Sequence, residues 1–153
     1  MYSNMAHFRL SPPRPVKAEL TSSRKIPYFI EQVKCGFPSP AEDYAEQEIN
    51  FNEYLIKHQA ASFTIKVQGD SMDKAGIKSG DLLIVDRSIT AKTGMIIVAI
   101  LFGEFTVKTF IQKGEEIWLY PENESYEPIK IHKEMDFQVW GVVTHVIHHC
   151  KIS

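Results

Sequence analysis

A serine hydroxyl becomes a nucleophile only when a nearby group takes its proton, so the first question is which base in this chain could serve which hydroxyl. Ser71 is the best-placed hydroxyl. It sits in Gly69-Asp70-Ser71-Met72-Asp73-Lys74-Ala75-Gly76, where a strand is predicted to end and roughly one helical turn to follow. A hydroxyl at such a corner is exposed, and the N–H groups of the new turn point at any developing negative charge. The same corner is the ordinary place for a serine that caps a helix or closes a turn. Local sequence leaves both roles open.

The histidines offer no base for it. His7 precedes the first strand, His58 follows a helical pattern, and His132 lies in a charged loop. His145, His148, His149 and Cys150 close the last strand. In that strand His145 and His149 share one face while His148 points away, so these four side chains do not read as a metal site. The remaining base is Lys108, in Phe105-Thr106-Val107-Lys108-Thr109-Phe110. Period two puts it on one face with Thr106 and Phe110, beside the apolar run Met95 to Leu101. A lysine there either snorkels to water or, if dehydrated, loses its proton readily and can take one from a hydroxyl.

Elements of short period must position these two residues. Phe63, Ile65 and Val67 alternate with polar neighbours as a half-buried strand ending at Gly69. Leu82 to Val85, Met95 to Leu101, Phe105 to Phe110, Ile117 to Tyr120 and Phe137 to Ile147 read as further strands. Gly103-Glu104 is predicted to form a type II′ turn between two of them. Ahead of the strands, Ser39-Pro40-Ala41-Glu42 is a strong helix start: Ser39 caps, Pro40 sits at N1 and Glu42 completes a capping box. That helix would run through Tyr44, Ala45, Glu48 and Ile49, and Asn50 with Glu53 would cap a second one carrying Phe51, Tyr54 and Leu55. The expected fold is mainly β, either a partly closed barrel or packed coiled sheets, with short helices near the front of the body.

Composition bounds the rest. Length and 44% apolar content suit one main folding unit, and two cysteines are too few for a disulfide framework. No secretory signal and no run of 18 apolar residues is present, which predicts a cytoplasmic protein without a membrane partner. The net charge of -2 is unevenly spread: residues 1–35 carry six basic and two acidic side chains, and residues 36–153 carry 11 and 17. The front segment, with Ser11-Pro12-Pro13-Arg14-Pro15 and Thr21-Ser22-Ser23, reads as a flexible arm, with adhesive residues Ile26 to Ile30 that could add a strand or fill a cleft. A basic arm on an acidic body lies along that body or touches nucleic acid directly. Neither interleaved aromatic residues nor zinc-finger spacing supports the second.

Several stretches together resemble the UmuD branch of the LexA-like self-cleaving serine peptidases. Cys35-Gly36-Phe37-Pro38-Ser39-Pro40-Ala41 is similar to the family's cleavage segment, Gly69-Asp70-Ser71-Met72 to its nucleophile motif and Phe105-Thr106-Val107-Lys108 to its base motif. Ser71 and Lys108 stand 37 positions apart, as in that branch, and Gly80 to Asp86 and Gly141 to Val146 also resemble family stretches. The resemblance covers about residues 29 to 153. It implies a β-rich peptidase fold in a homodimer, without cofactor or metal. It also implies an arm, residues 1–35, removed from the body, residues 36–153, by cleavage of the Cys35–Gly36 bond. Ser71 would be the nucleophile, Lys108 the base, and the backbone N–H groups of Ser71 and Met72 the oxyanion hole. A RecA filament on single-stranded DNA would stimulate the cut, and the shortened form would join a UmuC-like Y-family polymerase subunit in error-prone translesion synthesis. Two rival readings stand beside it: a signal-peptidase-like Ser–Lys enzyme acting on other proteins, for which a membrane anchor would be expected, and a non-enzymatic β-rich adaptor binding a polymerase or nucleic acid with Ser71 as a cap. Only 35 residues precede the Cys35–Gly36 bond, too few for the repressor branch's DNA-binding domain.

Overall fold

The computed structural model describes residues 25–29, 35–36 and 45–151. Nine strands dominate it. Seven form one antiparallel sheet: β3 (Ser62–Lys66), β4 (Leu82–Asp86), β5 (Ile96–Leu101), β6 (Glu104–Lys113), β7 (Glu116–Tyr120), β8 (Ile129–Ile131) and β9 (Phe137–Ile147). Their spatial order is β3-β4-β9-β5-β6-β7-β8, so the last strand of the chain is inserted between β4 and β5. The mainly β expectation holds, and each strand read from alternation is present. β8, only three residues long, gives too short a run for its period to be seen.

The sheet is packed on both sides. Met72, Ile77, Leu83, Val85, Val98 and Trp140 form one buried cluster, and Ile97, Ala99, Phe110, Leu119 and Val142 form another. Successive residues of β5 enter different clusters, which is why its sequence is an unbroken apolar run. β9 adapts to its two neighbours through register shifts between Ile84 and Val85 on one side and between Val98 and Ala99 on the other. Gly141 lies in the shifted region opposite Val98. A Cβ there would stand 2.6 Å from Val85 Cγ1, so this close approach needs glycine.

Three local expectations are corrected. Ala45–Ile49 is a strand, β2, and not the continuation of a helix: it pairs antiparallel with β1, Ile26–Phe29. Its backbone groups find partners some twenty residues upstream, and that pairing overrides the helical pattern over these five residues. The cap residues Ser39 to Glu42 lie outside the described residues, as do residues 1–24 of the arm. Second, the β5–β6 turn is Phe102-Gly103, with φ of 50° and 81°; two positive values make it type I′, with glycine second. Third, β9 ends at Ile147, so His148 and His149 follow the strand and do not alternate with His145. The Asn50 cap is present: its side chain accepts from Asn52 N–H at the start of α1, Phe51–Leu55, and donates to Glu53 Oε1.

Candidate active site

Ser71 lies between β3 and a single 3-10 turn, Asp73–Ala75, that Gly76 ends with a left-handed φ of 77°. The turn is pinned from within. Met72, next to the serine, is 2% exposed in the first core cluster, and its carbonyl accepts the N–H groups of Ala75 and Ile77. Among the described residues, neither the Ser71 nor the Met72 N–H donates to a protein acceptor.

Lys108 comes from the middle of β6, where Ile97, wholly buried, is its partner across the β5–β6 register. The lysine is itself 8% exposed. Its Nζ lies 3.0 Å from Ser71 Oγ, 3.0 Å from Thr106 Oγ1 and 2.9 Å from the Val107 carbonyl. Burial, without a carboxylate partner, pushes the amine below the ordinary lysine value of 10.5. The three contacts suit both protonation states. As an ammonium the group donates to all three oxygens; as a neutral amine it donates to Thr106 and Val107 and offers its lone pair to the Ser71 hydroxyl. The sequence had brought Thr106 to the same face, and the structure adds its hydroxyl as a fixed partner.

These two residues line or adjoin a cleft of about 360 Å³ walled by Ile65, Val67, Gly69, Met72, Phe105 and Val107. Such a cleft, lined by Ser71 with the dehydrated Lys108 amine 3.0 Å from that serine, suits an extended peptide segment. The family model for S24-like peptidases matches residues 27–144. The chain belongs to the S24-like peptidase family. It is a UmuD-type member, and with that family come self-cleaving serine endopeptidase chemistry by a Ser–Lys dyad and a place in the SOS response and DNA repair. It is 42% identical to protein ImpA of Salmonella typhimurium over 135 residues, covering 88% of this chain and 92% of that one. Protein SamA of Salmonella typhimurium strain LT2 is 44% identical over 122 residues, 80% and 84% of the two chains. The LexA repressor of Shewanella sp. strain ANA-3 is 40% identical over 124 residues, which is 81% of this chain but 58% of the repressor.

For this S24-like chain the structure brings together Ser71, Met72 and Lys108; of the cleavage segment, Cys35 and Gly36 are described and Phe37 to Ala41 lie outside the described residues. Cys35 and Gly36 form an exposed bend in the connection between β1 and β2, and neither lines the cleft. Gly36 has φ of 149° with nothing within 4 Å of an added Cβ, so here its backbone conformation, not crowding, calls for glycine.

Among the described residues no histidine is hydrogen-bonded to Ser71 or Lys108. His148 Nδ1 donates to Asp81 Oδ1 at 2.6 Å and His58 Nδ1 to Asp86 Oδ2 at 2.5 Å, pinning the two ends of β4. Both aspartates are 3% exposed, and both are held below the usual carboxylate range. For Asp81 the main cause is the Lys78 N–H; for Asp86 burial pushes up but the Ser88 and His58 hydrogen bonds outweigh it. Among the described residues no His, Cys, Asp and Glu group gathers as a metal site. No described helix is long and apolar enough to cross a membrane.

Residues 121–128, between β7 and β8, are the part of the site that sequence reading missed. Asn123 Nδ2 donates to the Asp70 carbonyl, Tyr126 OH to the Asp70 carboxylate, and the Glu122 N–H to the Ser71 carbonyl. The carboxylate of Asp70 raises the Tyr126 pKa above 10.0, so the phenol keeps donating at alkaline pH. The only signal in the sequence was a loop bounded by Pro121 and Pro128 and rich in hydrogen-bonding side chains.

Proposed function

We propose that this chain hydrolyses its own Cys35–Gly36 bond, with Ser71 as nucleophile and Lys108 as general base. The observation that carries the reading is the 3.0 Å approach of a buried, carboxylate-free lysine amine to a serine hydroxyl. Neutral Lys108 takes the proton from Ser71 Oγ as that oxygen attacks the Cys35 carbonyl carbon. The N–H groups of Ser71 and Met72 receive the oxyanion. The Lys108 ammonium then gives its proton to the Gly36 nitrogen, the C–N bond breaks, and Gly36 becomes a free amino terminus while residues 1–35 stay joined through Cys35 as an ester on Ser71. Water, deprotonated by the same amine, hydrolyses the ester on Ser71 and frees Cys35 as a carboxylate. Cys35 is thus substrate, and its exposed thiol has no part in the chemistry. For attack, the exposed bend at Cys35 and Gly36 must enter the cleft and bring its carbonyl to about 3–3.5 Å from Oγ.

The UmuD-type resemblance supplies the setting. A RecA filament on single-stranded DNA stimulates the docking, the protein acts as a homodimer in the cytoplasm, and the shortened form serves as accessory subunit of an error-prone Y-family polymerase. Removing residues 1–35 also takes away Ile26, which is 50% exposed, and the basic surplus of the arm. Intact mass after alkaline incubation tests the core of the reading. Fragments 1–35 and 36–153 are expected from the wild type and none from Ser71→Ala; scission that persists in Ser71→Ala removes the assignment. Cleavage of an added protein by a chain that itself stays whole would instead mark a peptidase acting in trans. The later step is tested by comparing a UmuC-like polymerase subunit's affinity for intact Ser71→Ala and for residues 36–153, where equal affinity removes the switch.

A further inference from the structure

The two halves of the dyad come from segments that the chain does not hold together: a turn after β3 and the middle of β6. Among the described residues, the contact between Lys108 and Ser71 is the one hydrogen bond that joins them directly. A second, indirect connection runs through Glu122. Its N–H donates to the Ser71 carbonyl at 2.8 Å, and its carbonyl accepts the Lys74 N–H at 2.8 Å, so its main chain brackets residues 71–74. Its carboxylate Oε1 accepts the Thr109 hydroxyl at 2.6 Å. Thr109 is 8% exposed and directly follows Lys108 in β6. The β6–β7 register explains the meeting: Thr109 pairs with Tyr120, and Glu122 stands two residues past it.

We propose that Glu122 is a positioning residue of the dyad, bridging the Ser71 turn to the Lys108 strand and thereby setting the distance between hydroxyl and amine. Its backbone carries the nucleophile turn and its side chain carries the base strand, so one rigid residue fixes both. Asn123 and Tyr126 support it by holding Asp70 on the other side of the serine. The chemical reason for such a bridge is that proton transfer demands hydrogen-bond distance, and about 1 Å of misplacement costs on the order of a hundredfold in rate. Loss of one side-chain tie leaves the backbone bonds in place, so a smaller loss, about tenfold, is expected.

This inference rests on the proposed Ser71–Lys108 chemistry, and the experiment separates the two. Self-cleavage is followed by intact mass, on the alkaline plateau and at a temperature where circular dichroism shows each variant fully folded. Glu122→Ala and Thr109→Val should each slow cleavage about tenfold, and the double variant should be no slower than the slower single one, because all three break the same bond. Glu122→Gln, which still offers a carbonyl oxygen to Thr109, should restore the rate to within about threefold. The pH of half-maximal rate should stay unchanged, since Lys108 remains as buried as before. A folded Glu122→Ala that cleaves at the wild-type rate, losses that multiply in the double variant, or a Glu122→Gln as slow as Glu122→Ala would each overturn the bridge. If Glu122→Ala does not fold, Thr109→Val against Thr109→Ser decides in the same way. Cleavage by Ser71→Ala or Lys108→Ala, or a wild type that stays whole, overturns the dyad reading and the bridge with it.

Discussion

Replacing Lys108 by methionine should change both the rate and the stability of the protein, and the two changes should share one pH. Methionine keeps the unbranched stem and removes the charge. Lys108 is 8% exposed and its pKa is lowered by burial alone, so its charged form is disfavoured in the fold and not in the unfolded chain. Below the folded-state pKa both states hold the proton, and the wild type carries a constant penalty. Between that pKa and 10.5 the unfolded chain binds a proton that the folded chain has released, so stability rises with pH. For one proton the slope is about 1.4 kcal/mol per pH unit. Above that window the penalty is gone. Subtracting the urea-derived stability of Ser71→Ala/Lys108→Met from that of Ser71→Ala, in which cleavage cannot intrude, isolates this curve apart from a constant packing offset. On the proposed mechanism the cleavage rate of the wild type should follow the neutral fraction of the same amine. It should climb about tenfold per pH unit and level off at the pH where the stability difference begins to rise. Lys108→Arg should be inactive throughout, because a guanidinium keeps its proton. A rate already flat above pH 7, as a histidine near its ordinary pKa of about 6.5 would give, refutes the reasoning. So does a bend in the stability curve more than about one pH unit from the kinetic midpoint.

Other perturbations test the frame around the dyad. Asp86→Ala removes the acceptor for two Ser88 donors and for His58, and should lower urea-measured stability by about 3 kcal/mol at neutral pH. Because Asp81 and Asp86 are held below the ordinary aspartate value of 3.8, their contribution is present above that pH and is lost as pH falls through the folded-state values; Asp86→Ala should show a shallower acid loss than the wild type. Gly141→Ala sets a Cβ against Val85 and Arg87 at the β9 irregularity, and a loss of about 2 kcal/mol in the same assay is expected. Phe102→Asn should raise the thermal midpoint slightly, by about 0.5–1 kcal/mol of stability, since asparagine tolerates the positive φ of the type I′ turn and Phe102 is 64% exposed; an unchanged or lower midpoint would show that the phenyl ring contributes more than the strain costs.

What the sequence determined by itself was local. Alternation along β3, β6 and β9 and the apolar run of β5 expose burial on one face or both, because side-chain direction repeats every two residues. The Asn50 cap was legible for the same reason: its partners lie within three residues. Ser71 and Lys108 were legible through motifs of four residues each, although local physics left the serine as readily a cap as a nucleophile. Only the tertiary structure decided what met what. The helix start at Ser39 was a sound local signal, yet Ala45–Ile49 pairs as a strand with Ile26–Phe29, because backbone partners come from distant segments that no local period encodes. β9 enters between β4 and β5, and His58 and His148 reach aspartates 28 and 67 residues away. The dyad is the sharpest case. A lysine on a strand is by pattern a snorkelling surface residue; its proposed role as a base rests on burial that dehydrates it and on a turn 37 residues earlier that sets a hydroxyl 3.0 Å from its amine. Dehydration and distance are properties of packed surroundings, and those surroundings exist only once the chain has folded.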